Sequence, residues 1–217
     1  MENKINFSNF KRLLILLVLL LIYTFICAFS YVQAVSTNIQ HSVFRLHVIA
    51  NSNSEEDQNL KYIVRDKVLE YINSISTNES SKEEVMYLVN KNIDKIKKIV
   101  ESTIYENGYN YPVELNIGNF AFPTKTYGDI SFPAGFYDAL KIEIGTAEGQ
   151  NWWCVMFPPL CFVDVTSGVV PEESKEIVKE NLSNEEYELL AENNSEISFK
   201  FKIIEMFQNI GIKLAQI

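Results

Sequence analysis

The sequence predicts a mixed α/β (α+β) domain, a central β-sheet packed by helices, preceded by an N-terminal hydrophobic export segment. Three observations lead there. Apolar residues recur at helical spacing from Leu60 to Ile104, they alternate with polar ones from Val113 to Ile144, and Trp152 to Phe157 is an unbroken apolar run closed by two prolines. No internal repeat, low-complexity tract or linker divides the 217 residues. One domain over residues 35–217, behind a segment of residues 1–34, is therefore expected, with a core large enough to need no staple.

The segment is the apolar run Leu13 to Phe29, which follows Lys11-Arg12 and carries no polar face that a soluble helix would show. Val32-Gln33-Ala34 after it suits a signal peptide cut behind Ala34, and an uncleaved membrane anchor through residues 13–29 is the alternative. Both readings place Val35 onward outside the cytoplasm, because the basic flank holds the N-terminus inside. Cys27 lies within the run, and Ile26 stands where a lipoprotein signal requires a small residue.

Val43 to Ala50 is β-branched and apolar and leads into Asn51-Ser52-Asn53-Ser54, which reads as a strand and a turn. Ser54 with Asp57 three residues on is a helix N-cap signal, and Leu60, Ile63, Val64, Val68, Tyr71 and Ile72 form one face of a helix from about Glu55 to Asn73. Asn78 to Ser81 interrupts the pattern. A second helix is expected from Ser81-Lys82-Glu83-Glu84, with Val85, Leu88, Val89, Ile93, Ile96, Val100 and Ile104 along one side, as far as Asn107-Gly108. Val113, Leu115 and Ile117 then mark a half-buried strand, and Phe120 and Phe122 a further extended segment. Pro123 to Gly135 has turn residues but also Tyr127 and Phe132, so it is expected to pack down as an ordered loop. Leu140, Ile142 and Ile144 alternate, and the turn Gly145 to Gln150 suggests a hairpin with the tryptophan strand, placing that strand in mid-sheet. Beyond it, helices are expected over Pro171 to Asn181 and Asn184 to Glu192, capped by Pro171 and Ser183. A short strand over Ile197 to Phe201 and an apolar helical stripe of Ile203, Phe207, Ile210 and Leu214 complete the chain.

Trp152 to Phe157 reads as a strand buried on both faces. Pro158-Pro159 turns the chain and returns Cys161 towards Cys154, at a separation that a disulfide can close. Two buried cysteines acting as small hydrophobes is the competing reading, and an oxidising compartment favours the bridge. Adjacent strand residues point to opposite faces, so Trp152 and Trp153 divide between a core and an outer surface.

The net charge is −9, and removal of residues 1–34 makes it −11. Such a surface argues against nucleic acid and against electrostatic docking on an anionic membrane. The two histidines, His41 and His47, belong to no zinc motif, and there is no nucleophile elbow, phosphate loop or dinucleotide fingerprint, so no metal or cofactor is expected. Asn51, Asn53, Glu55 and Asp57 alternate as calcium ligands do, but Glu56 and Tyr62 occupy the places of the loop glycine and the closing glutamate. A helix-start turn is the better reading. His47, on an apolar strand, reads as a core histidine bonded by Asn51 across the turn.

Several blocks together resemble the stage II sporulation protein R family. These are Phe44-Arg45-Leu46-His47-Val48-Ile49-Ala50-Asn51-Ser52, Glu56-Asp57-Gln58, Val64-Arg65-Asp66, Phe122 to Asp129, Phe132-Pro133-Ala134-Gly135, and Asn151-Trp152-Trp153-Cys154 to Phe162-Val163-Asp164. The resemblance implies a non-enzymatic signalling protein made in the forespore and exported between the two sporulation membranes. Its implied partner is the membrane-embedded aspartic protease that processes pro-sigma-E. The family implies no catalytic residues. Lys125, Tyr127, Asp129 and Trp153 are the candidate partner-binding residues, since motif residues in loops suit recognition, and packing of an unusual turn is the alternative. Two competing readings remain: an exported hydrolase acting on cell-wall material, with His47 and Asp129 in its site, and a structural protein tethered by Leu13 to Phe29.

Overall fold

The computed structural model describes residues 7–77, 81–161, 170 and 172–191. It has two compact units, residues 1–37 and residues 38–217. The first unit is the greater part of helix α1, Phe7–Ser42, whose last residues belong to the second unit. Within α1, Phe10–Cys27 is strongly apolar after Lys11-Arg12, with a mean hydropathy of 2.3 over the stretch. Its large side chains are exposed, and at the α-helical rise its 18 residues span about 27 Å, close to a bilayer's hydrocarbon thickness. The backbone stays helical through Ala34.

The second unit is a mixed α/β domain. Its strands are β1 (Phe44–Ile49), β2 (Val113–Phe122), β3 (Lys125–Tyr127), β4 (Ile130–Phe132), β5 (Gly135–Ile144) and β6 (Asn151–Phe157). Between β1 and β2 lie α2 (Glu55–Ser76), α3 (Lys82–Lys91) and α4 (Ile93–Glu106), and after β6 come α5 (Glu172–Asn181) and α6 (Asn184–Ala191). The main sheet has the order β2-β5-β1-β6. β1 runs parallel to β5 and antiparallel to β6, while β2 and β5 are antiparallel.

One face of this sheet carries the core. Phe44, Leu46 and Val48 of β1, Leu140 and Ile142 of β5, and Cys154 of β6 meet Leu60, Val64 and Val68 of α2, Val89 of α3, and Ile96 and Val100 of α4. Each such side chain is worth about 1.5–3 kcal/mol when fully withdrawn from water. The helix starts follow the local chemistry of the sequence. Ser54 Oγ accepts from Asp57 N at 3.2 Å, and Ser183 and Glu186 bond each other reciprocally, at 3.2 and 2.8 Å, in a capping box. The alternating run 51–57 is a helix-start turn, in which the Asp57 carboxylate accepts from Asn51 Nδ2 at 2.8 Å and Ser52 Oγ at 2.5 Å.

Four expectations need correction. The single helix from Ser81 to Asn107 is two, broken at Asn92, whose side-chain amide donates to Leu88 O at 2.8 Å while its Oδ1 accepts from Tyr71 OH at 3.0 Å. Those bonds compete with regular helix, which periodicity alone does not reveal. The extended segments around Ile117 and Phe122 are one ten-residue strand, β2. The tryptophan strand is not in a hairpin with β5, because β1 lies between them and leaves β6 at the edge of the sheet formed by the described residues. The turn 145–150 instead ties into the end of β1, through Gly149 N to Ala50 O at 2.9 Å and Glu148 N to Asn51 O at 3.2 Å. Finally, Asn51 does not bond His47; it serves Asp57 and Thr146, while His47 Nε2 is 2.7 Å from Asn151 Oδ1. The loop 123–135 packs down as expected, and it contains the β3–β4 hairpin.

Cys154 and Cys161 form a disulfide, with Cα atoms 5.2 Å apart, and Val155 O accepts from both Leu160 N and Cys161 N in the loop it closes. Pro171, Phe162 to Asp164, the expected strand at Ile197 to Phe201 and the stripe from Ile203 to Leu214 lie outside the described residues.

Gly149 has no room for a side chain: a Cβ there would collide with Ser52 O and lie 2.8 Å from Ala50 Cβ. Gly149→Ala is expected to cost about 2 kcal/mol, read as a lower midpoint in urea unfolding. An unchanged midpoint would mean that the turn is not held against β1.

Candidate partner-binding face

The pleat of β1 sends Arg45 and His47 to the face opposite the helical core. Register places Val155 and Trp153 of β6 beside them on one side and Ala139 and Lys141 of β5 on the other. The β3–β4 hairpin lies on this side of the sheet through Tyr127 and Phe132, both near Arg45. Arg45 is 0% exposed. Its Nη2 donates to Tyr127 OH at 2.8 Å, and its guanidinium carbon is 4.2 Å from the Phe122 ring centre, 4.6 Å from that of Tyr137 and 5.9 Å from that of Phe132. Tyr127 passes the bond on, donating to Trp153 O at 3.0 Å. Tyr137 donates to Pro133 O at 2.6 Å.

Trp153 is the half-buried outer member of the group. His47 stacks on it with ring centres 5.6 Å apart, and Lys125 Nζ lies 4.6 Å from its ring centre. His47 also meets the edge of Phe122 at 5.8 Å. Burial pushes the Tyr127 and Tyr137 hydroxyls up from the usual phenol value, against the pull of the Arg45 charge, so both are neutral donors. Burial likewise lowers His47, against the hydrogen bond with Asn151, and keeps the imidazole neutral near pH 7.

Three of the four sequence candidates therefore converge. Lys125, Tyr127 and Trp153 form one contact chain with Arg45 and His47 beneath it. Asp129 serves a different purpose. Its carboxylate pairs with Lys175 of α5 at 2.7 Å and accepts from Val170 N at 3.2 Å, which ties the hairpin turn to the chain after β6. Burial would raise the Asp129 carboxyl, and these bonds outweigh it and hold the group below the usual carboxylate value. His47 and Asp129, the pair of the hydrolase reading, thus have separate partners: Asn151 and Trp153 for one, Lys175 and Val170 for the other. Among the described residues no group of three or more His, Cys, Asp or Glu could hold a metal ion.

A family profile described as stage II sporulation protein R matches residues 40–167. The chain belongs to this family. It is 39% identical over 143 residues to the Bacillus subtilis (strain 168) protein named Stage II sporulation protein R, a match over 65% of this chain and 64% of that relative. The chain thus spans somewhat less than two thirds of the relative's length. No solved structure matches. The stage II sporulation protein R match takes in all six strands, the disulfide and the whole Arg45–Trp153 chain, whereas Lys175 lies beyond it. Arg45, Phe122 and Tyr137 were not site candidates from sequence. Arg45 gave no signal for a site, because a charged residue alternating with Phe44 and Leu46 reads as a solvent-facing position.

Tyr127→Phe removes the acceptor of Arg45 and the donor to Trp153 O together. It is expected to lower stability by about 2 kcal/mol, measured by denaturant unfolding, with no loss expected if water substitutes freely. His47 makes a second, pH-dependent contribution. Its folded value lies below its unfolded one, so this contribution is complete above the unfolded value, near 6.5, and is lost progressively as pH falls from there through the lower folded value. Between pH 7 and pH 5 the chain should therefore lose more stability than His47→Gln does, and parallel curves would remove His47 from the account.

Proposed function

We propose that this chain is an exported signal of endospore formation, which activates the membrane-embedded aspartic protease that processes pro-sigma-E. Membership of the stage II sporulation protein R family carries the reading. Three features support it. α1 has an apolar stretch long enough for export or anchoring, behind the basic pair Lys11-Arg12, which favours an inside N-terminus. The Cys154–Cys161 disulfide suits an oxidising space outside the cytoplasm. The Lys125–Tyr127–Trp153 surface has the aromatic and cationic character of a recognition patch, on a rigid sheet.

Activation by a ligand of this kind is a shift in an equilibrium. The chain must bind the competent state of the protease more tightly than the idle one, whether that state is a dimer or another conformation. Turning a population from mostly idle to mostly active takes a differential of about ten-thousand-fold in affinity. That demand suits an ordered surface with pre-set side chains better than a flexible tail, since little ordering entropy is then lost on binding.

The test is an immunoblot of pro-sigma-E processing in non-sporulating cells that express the precursor and its protease, with this chain supplied intact or lacking residues 1–34. Processing with the intact chain and none with the truncated one is expected. Absence of processing with the intact chain, despite its detected export and a working positive control, would sink the proposal.

A further inference from the structure

The second sheet face holds two cations that no described carboxylate neutralises. Arg45 is fully buried among aromatic rings and phenol hydroxyls, and the Lys125 ammonium lies over Trp153 rather than beside an acid. Other lysines in this part of the fold are paired, Lys141 with Glu143 at 2.8 Å and Lys175 with Asp129 at 2.7 Å. The exception is notable in a chain of net charge −9, where acids are plentiful.

Unpaired nitrogens gather at the same place. Six buried side-chain N or O atoms of the described residues have no hydrogen-bond partner, and four of them belong to this cluster: Arg45 Nε and Nη1, His47 Nδ1 and Trp153 Nε1. None of these atoms is open to solvent, so a partner would meet their charge and dipoles through the half-buried Lys125 and Trp153 rather than the nitrogens themselves. An apolar partner would leave the Lys125 charge uncompensated, and a basic partner would be repelled.

We propose that this face docks an acidic segment of the partner, with a carboxylate set against Lys125 at the Trp153 ring, in the positive field of the buried Arg45. The inference deepens the activation reading and rests on it for the partner's identity, while the chemistry of the surface is testable alone. Tyr127 is the positioning residue. Its hydroxyl holds the Arg45 guanidinium and the Trp153 carbonyl in one line, so the hairpin, the cation and the ring keep their spacing.

The probe is a polyglutamate peptide, titrated into the full chain in neutral detergent and followed by tryptophan emission. Binding should weaken as salt rises, about tenfold or more in Lys125→Glu, and little in Lys125→Arg. Lys67→Glu, an exposed lysine of α2 paired with Glu70, is the control and should bind as the unaltered chain does. Equal binding by Lys125→Glu, no binding by any form, or an equal loss in Lys67→Glu would each overturn the docking surface. The same variants then enter the processing assay, after their unfolding midpoints are shown to match. If the unaltered chain and Lys125→Glu both support processing, the docking surface is wrong and the activation reading survives. If peptide binding depends on Lys125 but the unaltered chain supports no processing, the activation reading fails alone.

Discussion

Taking the guanidinium of Arg45 out of water costs several kcal/mol, even after the protein relaxes around it, and the second sheet face is assembled from what replaces that hydration. Phe122 comes from the end of β2, Tyr137 from the start of β5, Phe132 from β4 and Tyr127 from β3. These four residues enclose one cation, so the small hairpin and the ends of two long strands are brought to a common point. Aromatic faces attract the charge electrostatically, more strongly once water is excluded. The arrangement also sets Trp153, because the phenol that accepts from Arg45 donates to the Trp153 carbonyl. Loss of any one ring would leave the cation facing a gap.

β1 carries this load while serving the opposite face. Its even positions Phe44, Leu46 and Val48 meet the helices, and its odd positions Arg45 and His47 meet the hairpin side. A slip of one residue would put a guanidinium and an imidazole into the apolar core, so the register is strongly specified. The parallel ladder with β5 requires the chain to pass through α2, α3, α4, β2, β3 and β4 before it returns. Both faces must therefore form from distant segments, and the capped helices supply the local structure on which they assemble.

The amino-acid sequence makes the local layers of this fold readable. Ser54, Ser81 and Ser183 announce helix starts through their spacing to Asp57, Glu84 and Glu186, and each does cap. The two cysteines, seven residues apart across a double proline, are joined. What periodicity hides is which strands are neighbours. A six-residue turn between β5 and β6 suggests a hairpin, but the turn's amides bond to Ala50 and Asn51 and β1 enters between the two strands. Strand pairing is non-local, and no residue of β5 or β6 states it. The same holds for the site. Lys125, Tyr127 and Trp153 were legible as motif residues, whereas the role of Arg45 required knowing that β2, β3, β4 and β5 all bring aromatic rings to it. Asp129 has the same motif credentials as its neighbours, yet its carboxylate is taken up by Lys175, which no short-range pattern connects to it.

The position of β6 at the sheet edge bears on how a partner is read. An open edge strand invites another chain to continue the ladder. Here two of its carbonyls are already engaged: Val155 O by Leu160 N and Cys161 N of the disulfide-closed loop, and Trp153 O by the Tyr127 hydroxyl. Strand addition would have to break those bonds before making its own, and the disulfide holds the loop in place against that exchange. The docking proposed above therefore draws on the side chains of the face beside β6 rather than on its backbone. On that face the half-buried tryptophan and the lysine over its ring are the accessible members, and the buried Arg45 supplies charge without being touched. A surface of this kind selects by charge and shape rather than by a run of main-chain bonds.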